Sequence, residues 1–285
     1  MHAGIRHRPF WRFAPLFLVC AGFGRCAEDP QSQTTQDAGT PQWTLTWSDE
    51  FDGAAGTVPD ASKWTHDVGG SGWGNNQLEY DTAEARNAQL DGNGHLAITA
   101  IEEPYGGRDY SSARINTGNK FSQAHGRFEA RIKLPPGRGL WPAFWLLGAD
   151  IAQNPWPSCG ELDIMEYRGQ ETTLIHGSAH GPGYSGGQAI TASHGLPGGA
   201  GFDQDFHVFA VEWTTDRVDF RVDDTVYETV TPSTLPAGKQ WVFEHPFFVI
   251  LNLAVGGNYV GSPDSSTRFP ATMLVDYVRV YESAQ

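Results

Sequence analysis

The stretch Gly160–Tyr167 has the sequence GELDIMEY, and its pattern is that of a β-strand. Alternate side chains of a strand share a face, so Glu161 and Asp163 point to one side. Leu162 and Ile164 then point to the other side, toward an apolar core. A strand with one acidic face and one apolar face is typical of a sheet packed against a hydrophobic interior.

The third acid of this stretch breaks the alternation. Regular pleating would put Met165, and not Glu166, beside Asp163 on the acidic face. One extra residue at Ile164-Met165, accommodated as a β-bulge, would return Glu166 to that face. We therefore predict a bulged strand that carries three carboxyl groups on one side.

The acidic face has a plain interpretation, in which the carboxylates are simply solvated. Against it, like charges close together on one face repel, and no lysine or arginine interleaves with Glu161, Asp163 and Glu166. Cleavage of a glycosidic bond needs one carboxylate as nucleophile or base and one protonated carboxyl as acid. Placing Glu161 and Glu166 on one face of one strand favours the close spacing of a retaining mechanism.

The composition favours an all-β fold. Aromatic residues make up 12% of the chain, and 34 glycines and 18 prolines suit short strands joined by tight turns better than long helices. We predict a β-jelly-roll sandwich of two antiparallel sheets with a concave cleft. The expected strands are Thr44–Trp47, His95–Ala100, Gly126–Leu134, Phe206–Trp213, Arg217–Val222, Phe247–Ala254 and Leu274–Tyr281.

The first 41 residues differ from the rest. Residues 1–26 combine a basic start with an apolar run that is too short to span a membrane, so we predict a secretory signal peptide and no mature transmembrane segment. Residues 27–41 are polar and read as a flexible linker, which leaves a single domain over residues 42–285. The protein is expected outside the cell, either free or lipid-anchored at Cys26.

The net charge of -14 excludes some classes of partner. Nucleic acids require clustered lysine and arginine, and anionic polymers would be repelled, so a neutral polymer fits this surface best. The predicted domain keeps one cysteine, Cys159, which cannot form an intrachain disulfide and is interpreted as a packing residue.

The stretch Gly160–Glu166 resembles the E-[IL]-D-x-x-E signature of glycoside hydrolase family 16, in its laminarinase form. The resemblance continues through Asp49–Gly53, Gly72–Asn76, Ser112–Ile115, Trp141–Gly148, Leu251–Gly257 and Asp276–Tyr281. It implies a β-jelly-roll and a retaining mechanism. It also implies that Glu161 is the nucleophile, Glu166 the acid/base, and Asp163 an assistant that positions and tunes Glu161.

A glucan groove needs aromatic platforms with polar groups at their edges, because sugars present apolar C–H faces and hydroxyls. Each aromatic or polar candidate also has a structural interpretation, as a core, turn or buried residue. The family resemblance favours the cleft for several of them. The predicted substrate-binding residues are Trp73, Asn76, Arg114, Trp141, Trp145, Trp156, His180 and Asn252, with Asn75 and Glu79 as weaker candidates.

One segment departs from the family pattern. Residues 76–81 read NQLEYD, where laminarinases more often show N-E-L-x-Y-Y. The departure concerns contacts on the glycone side of the cleft.

The resemblance further implies a structural calcium ion at Glu50, Gly94 and Asp276, since Ca²⁺ accepts carboxylate and carbonyl oxygens. The alternative is that Glu50 and Asp276 make ordinary hydrogen bonds. No cofactor is expected for catalysis.

The leading hypothesis is a monomeric endo-acting β-1,3-glucanase that cleaves laminarin-like β-glucan. A mixed-linkage β-1,3-1,4-glucanase or a galactan hydrolase of the agarase type is the alternative enzyme. A non-catalytic β-glucan-binding protein is the alternative from another class, and the presence of both Glu161 and Glu166 argues against it.

Overall fold

The computed structural model describes residues 42–283. The predicted signal peptide (1–26), the predicted linker (27–41) and Cys26 lie outside the described residues. Within 42–283 the two helices are single 3₁₀ turns, Gly186–Gln188 and Pro197–Gly199, and no helix there is long and apolar enough to cross a bilayer. The strands are β1 (Trp43–Asp49), β2 (Thr65–Asp67), β3 (Glu79–Asp81), β4 (Ala88–Leu90), β5 (Leu96–Tyr105), β6 (Arg108–Ser112), β7 (Arg114–Asn116), β8 (Gly126–Lys133), β9 (Leu140–Gly148), β10 (Glu161–Tyr167), β11 (Leu174–His180), β12 (Ile190–Gly195), β13 (His207–Thr214), β14 (Arg217–Val222), β15 (Thr225–Val230), β16 (Phe247–Val255) and β17 (Ala271–Ser283).

These strands form two sheets, which confirms the predicted all-β sandwich. The larger sheet has ten strands, with the path β15-β14-β13-β8-β17-β5-β6-β3; β1 also pairs with β17, and β4 with β5. The smaller sheet has seven strands in the order β12-β11-β10-β9-β16-β7-β2. The described strand pairs are antiparallel except for β3 with β6, which is parallel.

The core lies between the two sheets and follows the two-residue period of the strands. In β16 the side chains of Phe247, Val249 and Leu251 are fully buried in the main hydrophobic cluster, whereas Ile250 and Asn252 belong to the opposite face. Burying one large apolar side chain stabilises a fold by about 1.5–3 kcal/mol. Burial of alternate side chains between the sheets therefore stabilises the sandwich, and the other face of the seven-stranded sheet remains available for ligand contacts.

We call that second face, which carries Glu161, Trp145 and Asn252, the cleft face. Strand register aligns its residues in rows that run across the strands. One row begins at Glu166 on β10 and passes through Ala143 on β9 and Asn252 on β16. It continues to Arg114 on β7 and Asp67 on β2. A polymer lying across the strands would meet groups from five of them.

Candidate active site

The bulge predicted from the spacing of the three acids is present in β10. Pairing with β9 shifts register between Asp163 and Met165, and pairing with β11 shifts between Asp163 and Glu166. Ile164 and Met165 are both fully buried in the core. Two successive side chains thus point inward, and Glu166 returns to the cleft face beside Glu161 and Asp163.

His180 on β11 contacts two of the three acids. Its Nε2 lies 2.7 Å from Asp163 Oδ2 and 3.6 Å from Glu161 Oε1. The Gly186 amide donates to Nδ1 at 3.1 Å, so Nδ1 is an acceptor and the proton of the neutral ring sits on Nε2. The Nε2–H therefore donates to Asp163, and His180 orients that carboxyl group rather than offering a free edge to a sugar.

Glu161, Asp163 and His180 each place a ligand atom within 4.8 Å of one another. Such a spacing would also suit a metal ion. Here the hydrogen bond from His180 to Asp163 already uses these groups, and the third acid, Glu166, stands outside the group. The arrangement is that of a proton-sharing set.

Burial strongly raises the pKa values of the three acids. It raises the pKa of Asp163 to about 8, and burial together with the Asp163 charge raises the pKa of both Glu161 and Glu166 to about 8. Three carboxyl groups this close retain protons at neutral pH, because each ionisation raises the cost of the next. A protonated carboxyl next to an ionised one is what glycosidic cleavage requires.

Trp141 binds the third acid directly. Its Nε1–H donates to Glu166 Oε1 at 3.0 Å, which leaves the second carboxyl oxygen to hold a proton. The indole also packs against Tyr259, with ring centroids 5.0 Å apart. Trp141 therefore fixes the orientation of Glu166 and contributes an aromatic wall beside it.

Trp145 and Arg114 continue the cleft face away from β10. The Trp145 Nε1–H donates to Asn252 Oδ1 at 2.8 Å. The Arg114 guanidinium lies 4.8 Å from the ring centroids of both Trp145 and Trp73, and its Nε donates to Asp67 at 2.9 Å. Trp73, Arg114 and Trp145 thus form one stack, which brings a residue of the Gly-rich loop into the same row as the catalytic strand.

A cavity of about 440 Å³ opens beside this stack. Its size lies within the range of small-ligand sites, and it combines apolar and polar walls as a sugar site requires. Its lining includes Asp67, Trp73, Arg114, Leu147, Ile151 and Ile250.

The remaining predicted binding residues lie at two places. Trp156 is 45% exposed, and its ring centroid lies 6.2 Å from that of His180, so it offers an open platform next to the acids. Asn76 Nδ2 donates to Asn258 Oδ1 at 2.9 Å. That bond holds the loop containing Trp73 against the segment after β16.

Three residues near the site were not predicted or were misread. His176 lies opposite Glu166 on β11; its position four residues before His180 on the same run was a signal that could have found it. Asp67 comes from a three-residue strand without any distinguishing pattern. Glu79 was a weak candidate for contacts with sugar hydroxyls, but it is fully buried and accepts the Val255 amide, so that interpretation is wrong.

The predicted calcium ligands lie away from the cleft face, and the carboxylates of Glu50 and Asp276 pair with arginines. Both Glu50 oxygens accept hydrogen bonds from Arg279, at 3.0 and 2.7 Å. Asp276 Oδ2 accepts from Arg131 at 2.6 Å. Guanidinium groups thus bind three of the four carboxylate oxygens of Glu50 and Asp276, and a cation at these oxygens would compete with them.

Cys159 is fully buried against Leu147 and Ile250. Burial raises the pKa of its thiol to about 11, so the group is a neutral packing residue at physiological pH.

Comparison with known proteins places these features in a wider group. Residues 73–279 match the model of the family described as glycosyl hydrolases family 16. A beta-glucanase from Rhodothermus marinus is 44% identical over 251 residues, which cover 85% of this chain and 86% of the relative. The catalytic domain of an endo-1,3-beta-glucanase (laminarinase) from Thermotoga petrophila superposes with a TM-score of 0.82 at 45% identity, over 86% of this chain and all of that one. An endo-beta-1,3-glucanase from Pyrococcus furiosus gives a TM-score of 0.81 at 46% identity, over 86% of this chain and 96% of that one.

Proposed function

Because the chain belongs to glycosyl hydrolase family 16, we propose that it is a retaining endo-β-1,3-glucanase with Glu161 as nucleophile and Glu166 as general acid/base. The observation that carries this proposal is the bulge in β10, which puts both carboxyl groups on the cleft face on either side of Asp163. Carboxyl groups about 5–5.5 Å apart belong to retaining enzymes.

The reaction proceeds in two displacements. Glu166 donates its proton to the glycosidic oxygen while a Glu161 oxygen attacks the anomeric carbon, so the C–O bond to the leaving sugar breaks and a covalent glycosyl-enzyme forms. Glu166, now ionised, removes a proton from water, which displaces Glu161 and restores both groups. Asp163, which His180 holds by a hydrogen bond, shares a proton with Glu161 and keeps the Glu161 carboxyl group oriented.

The protonation of the cluster suits this cycle. Glu166 has to be protonated and Glu161 ionised when substrate binds. Burial raises the pKa of all three acids to about 8, and the charge of Asp163 adds to the shift of Glu161 and Glu166, so the cluster retains protons at neutral pH. We therefore infer that activity declines above about pH 8, when Glu166 loses its proton.

A neutral β-glucan is the substrate class that the surface supports. The net charge of -14 disfavours sulfated polymers, and the cleft face combines tryptophan rings with amide and guanidinium groups. Endo action is favoured because the cleft face extends on both sides of β10, to His176 on β11 and to Asn252 and Arg114 beyond β9. The solved relatives named above are endo-1,3-beta-glucanases, which favours β-1,3 linkages.

A panel of substrates tests this assignment. The protein should release oligosaccharides from laminarin and curdlan faster than from lichenan, and should leave agarose and carrageenan intact. Preference for lichenan would favour the mixed-linkage alternative, and cleavage of agarose the galactan alternative. Binding of laminarin without any product would leave only the non-catalytic alternative.

Two substitutions test the roles of the acids. Glu161→Gln and Glu166→Gln should each lower laminarin turnover by at least about a thousandfold while circular dichroism stays that of a β-sandwich. Glu244→Gln, at an exposed glutamate, is the matched control and should retain activity. Near-wild-type turnover in either active-site variant would contradict the assignment.

Export of the protein is a further proposal, based on residues 1–26. The mature protein recovered from culture medium should begin after that segment, as judged by mass spectrometry. Recovery in the membrane fraction, lost in a Cys26→Ala variant, would instead support lipid anchoring.

The calcium prediction has its own test. A calcium ion bound by the carboxylates of Glu50 and Asp276 would compete with Arg279 and Arg131, so we expect the same melting temperature in EDTA and in excess CaCl₂. A higher melting temperature in CaCl₂ would restore the sequence-based prediction.

A further inference from the structure

A second pair of buried carboxyl groups lies outside the catalytic set. Glu79 and Asp81 are two residues apart on β3 and share a face, and they are 0% and 2% exposed. Glu79 Oε2 accepts the Val255 amide at 2.7 Å, and Asp81 Oδ2 accepts the Trp73 Nε1–H at 2.7 Å. Each residue keeps one buried oxygen, Oε1 of Glu79 and Oδ1 of Asp81, with no hydrogen-bond partner.

Two unpaired oxygens on neighbouring buried carboxyl groups would be stabilised by a shared proton. An isolated buried carboxylate is costly, and two ionised ones side by side cost more. Burial raises the pKa of Glu79 to about 7, and burial together with the Glu79 charge raises the pKa of Asp81 well above its usual value. A proton on Glu79 that is donated to Asp81 would satisfy both orphan oxygens at once.

The surrounding charges do not neutralise a second ionisation. Arg114, the cation nearest the cleft, is already bonded to Asp67. Arg108 donates to the Gly70 carbonyl. Burial lowers the pKa of His66 on β2, so this imidazole is neutral in alkaline solution. The titratable and charged groups facing the pair and its strand are Asp67 and His66 on β2, Arg108 on β6 and Arg114 on β7.

Trp73 needs the anchor that this pair supplies. Gly72, Trp73 and Gly74 all have positive φ, at 80°, 49° and 82°. That conformation is costly for a bulky residue and persists only when neighbouring groups hold it. The indole nitrogen of Trp73 donates its single hydrogen bond to Asp81. The indole ring also stacks on the Arg114 guanidinium.

Resting on the proposed glucanase function, we propose that Glu79 and Asp81 form a proton-sharing pair that positions Trp73 in the cleft, so that loss of the shared proton weakens glucan binding in alkaline solution. With the proton in place, Asp81 is a fixed acceptor for the indole. Without it, two adjacent buried carboxylates repel, and the strain is relieved by opening β3 toward water, which displaces Trp73. Neither residue touches the reacting atoms, so both are positioning residues.

Glu79→Gln is the informative variant. Glutamine keeps an oxygen for the Val255 amide and presents an N–H to Asp81 at every pH, so it mimics the protonated pair and cannot lose its proton. Asp81→Ala removes the anchor of Trp73 at every pH.

Binding is measured in a Glu161→Gln background by tryptophan fluorescence titration with laminarihexaose between about pH 6 and about pH 9. The catalytic acids then contribute equally to all proteins compared. We expect Kd of the Glu161→Gln protein to rise about three- to tenfold across this range, on the scale of one pKa unit of coupling. Addition of Glu79→Gln should reduce that rise to less than about twofold, and addition of Asp81→Ala should raise Kd at both ends of the range.

The outcomes separate this inference from the proposed function. An equal alkaline rise of Kd with and without Glu79→Gln would overturn the inference while leaving the glucanase assignment intact, as would a flat Kd in the Glu161→Gln protein. Absence of laminarihexaose binding at every pH would instead count against the glucanase function. If Asp81→Ala fails to fold, the comparison with Glu79→Gln still decides.

Discussion

Replacing Glu161 with glutamine should stabilise the fold in neutral and alkaline solution even though it abolishes catalysis. The pKa of Glu161 rises from 4.5 to about 8, chiefly by burial and then by the charge of Asp163. A carboxyl whose folded pKa lies above its unfolded value favours folding fully only below the unfolded pKa, and this stability is lost as pH rises toward the folded pKa. The destabilisation of the wild-type protein by Glu161 therefore increases between about pH 4.5 and about pH 8.

The magnitude follows from the size of the shift. At about 1.4 kcal/mol per pKa unit, the shift of Glu161 costs up to about 5 kcal/mol of the free energy of unfolding at pH 8 and above. Part of this repulsion is shared with Asp163 and Glu166, and glutamine still buries a polar amide, so we expect a net gain of about 1–3 kcal/mol. For a domain of this size, that corresponds to an increase of about 3–10 °C in melting temperature.

Differential scanning calorimetry of wild type and Glu161→Gln from about pH 4 to about pH 9 measures the effect. The two melting temperatures should nearly coincide at the acid end and diverge as pH rises. The control, Glu244→Gln, should follow the wild type throughout. A difference that does not depend on pH, or a Glu161→Gln protein that melts below wild type at about pH 8, would refute the electrostatic account of the cluster.

Other predictions concern the contacts around the cluster. Trp141→Phe removes the hydrogen bond that lowers the pKa of Glu166, so the alkaline limb of kcat/KM should move to higher pH, whereas an unmoved limb would deny that contact a role in tuning the acid. Arg114→Lys keeps a positive charge but loses the planar group that stacks between Trp73 and Trp145. Because a cation–π contact contributes about 0.5–2 kcal/mol, KM for laminarin should rise about three- to thirtyfold, with kcat less affected. An unchanged KM would show that the stack does not contribute to binding. Met165→Asp puts a charge into the core at the bulge and should lower the free energy of unfolding by at least about 3 kcal/mol in urea titration, whereas a change below about 1 kcal/mol would mean that the bulge does not turn this side chain inward. Cys159 should resist alkylation of the native protein by iodoacetamide, and rapid modification at neutral pH would contradict its burial as a neutral thiol.

The bulge in β10 shows how far local pattern can lead. Three acids and four apolar residues allow a single arrangement in which all acids share a face, so the break in alternation at Ile164-Met165 predicts the position of the bulge. The main antiparallel strands, such as β8 and β16, were equally readable because their apolar side chains alternate or cluster. The same physical rule, burial of one face, determines both.

Other strands carried no such pattern. β2, β3, β4 and β7 have three residues each, too few for a period, and β12 has the mostly polar sequence ITASHG. They are strands because neighbouring strands offer hydrogen bonds, which is information from tertiary structure. β9 is buried along most of its length and contains Pro142, so its continuous apolar run shows no alternation, and only the spacing of Trp141 and Trp145 placed them on one face of a strand.

The partners of charged residues were the least predictable feature. Glu50 and Arg279 are distant in sequence and meet only because β1 pairs with β17. Glu79 was a weak candidate for contacts with sugar hydroxyls, but it is fully buried in β3, which pairs in parallel with β6. The stack of Trp73 on Arg114 likewise depends on a loop conformation that composition does not specify.

The most direct test of the central claim is the configuration of the first product. Proton NMR of laminarin hydrolysis, recorded before mutarotation, follows the anomeric signals of the new reducing ends. If Glu161 and Glu166 act as nucleophile and acid/base from one bulged strand, the β-anomer accumulates first and the α-anomer appears only as mutarotation proceeds. Initial accumulation of the α-anomer would show inversion and contradict the account.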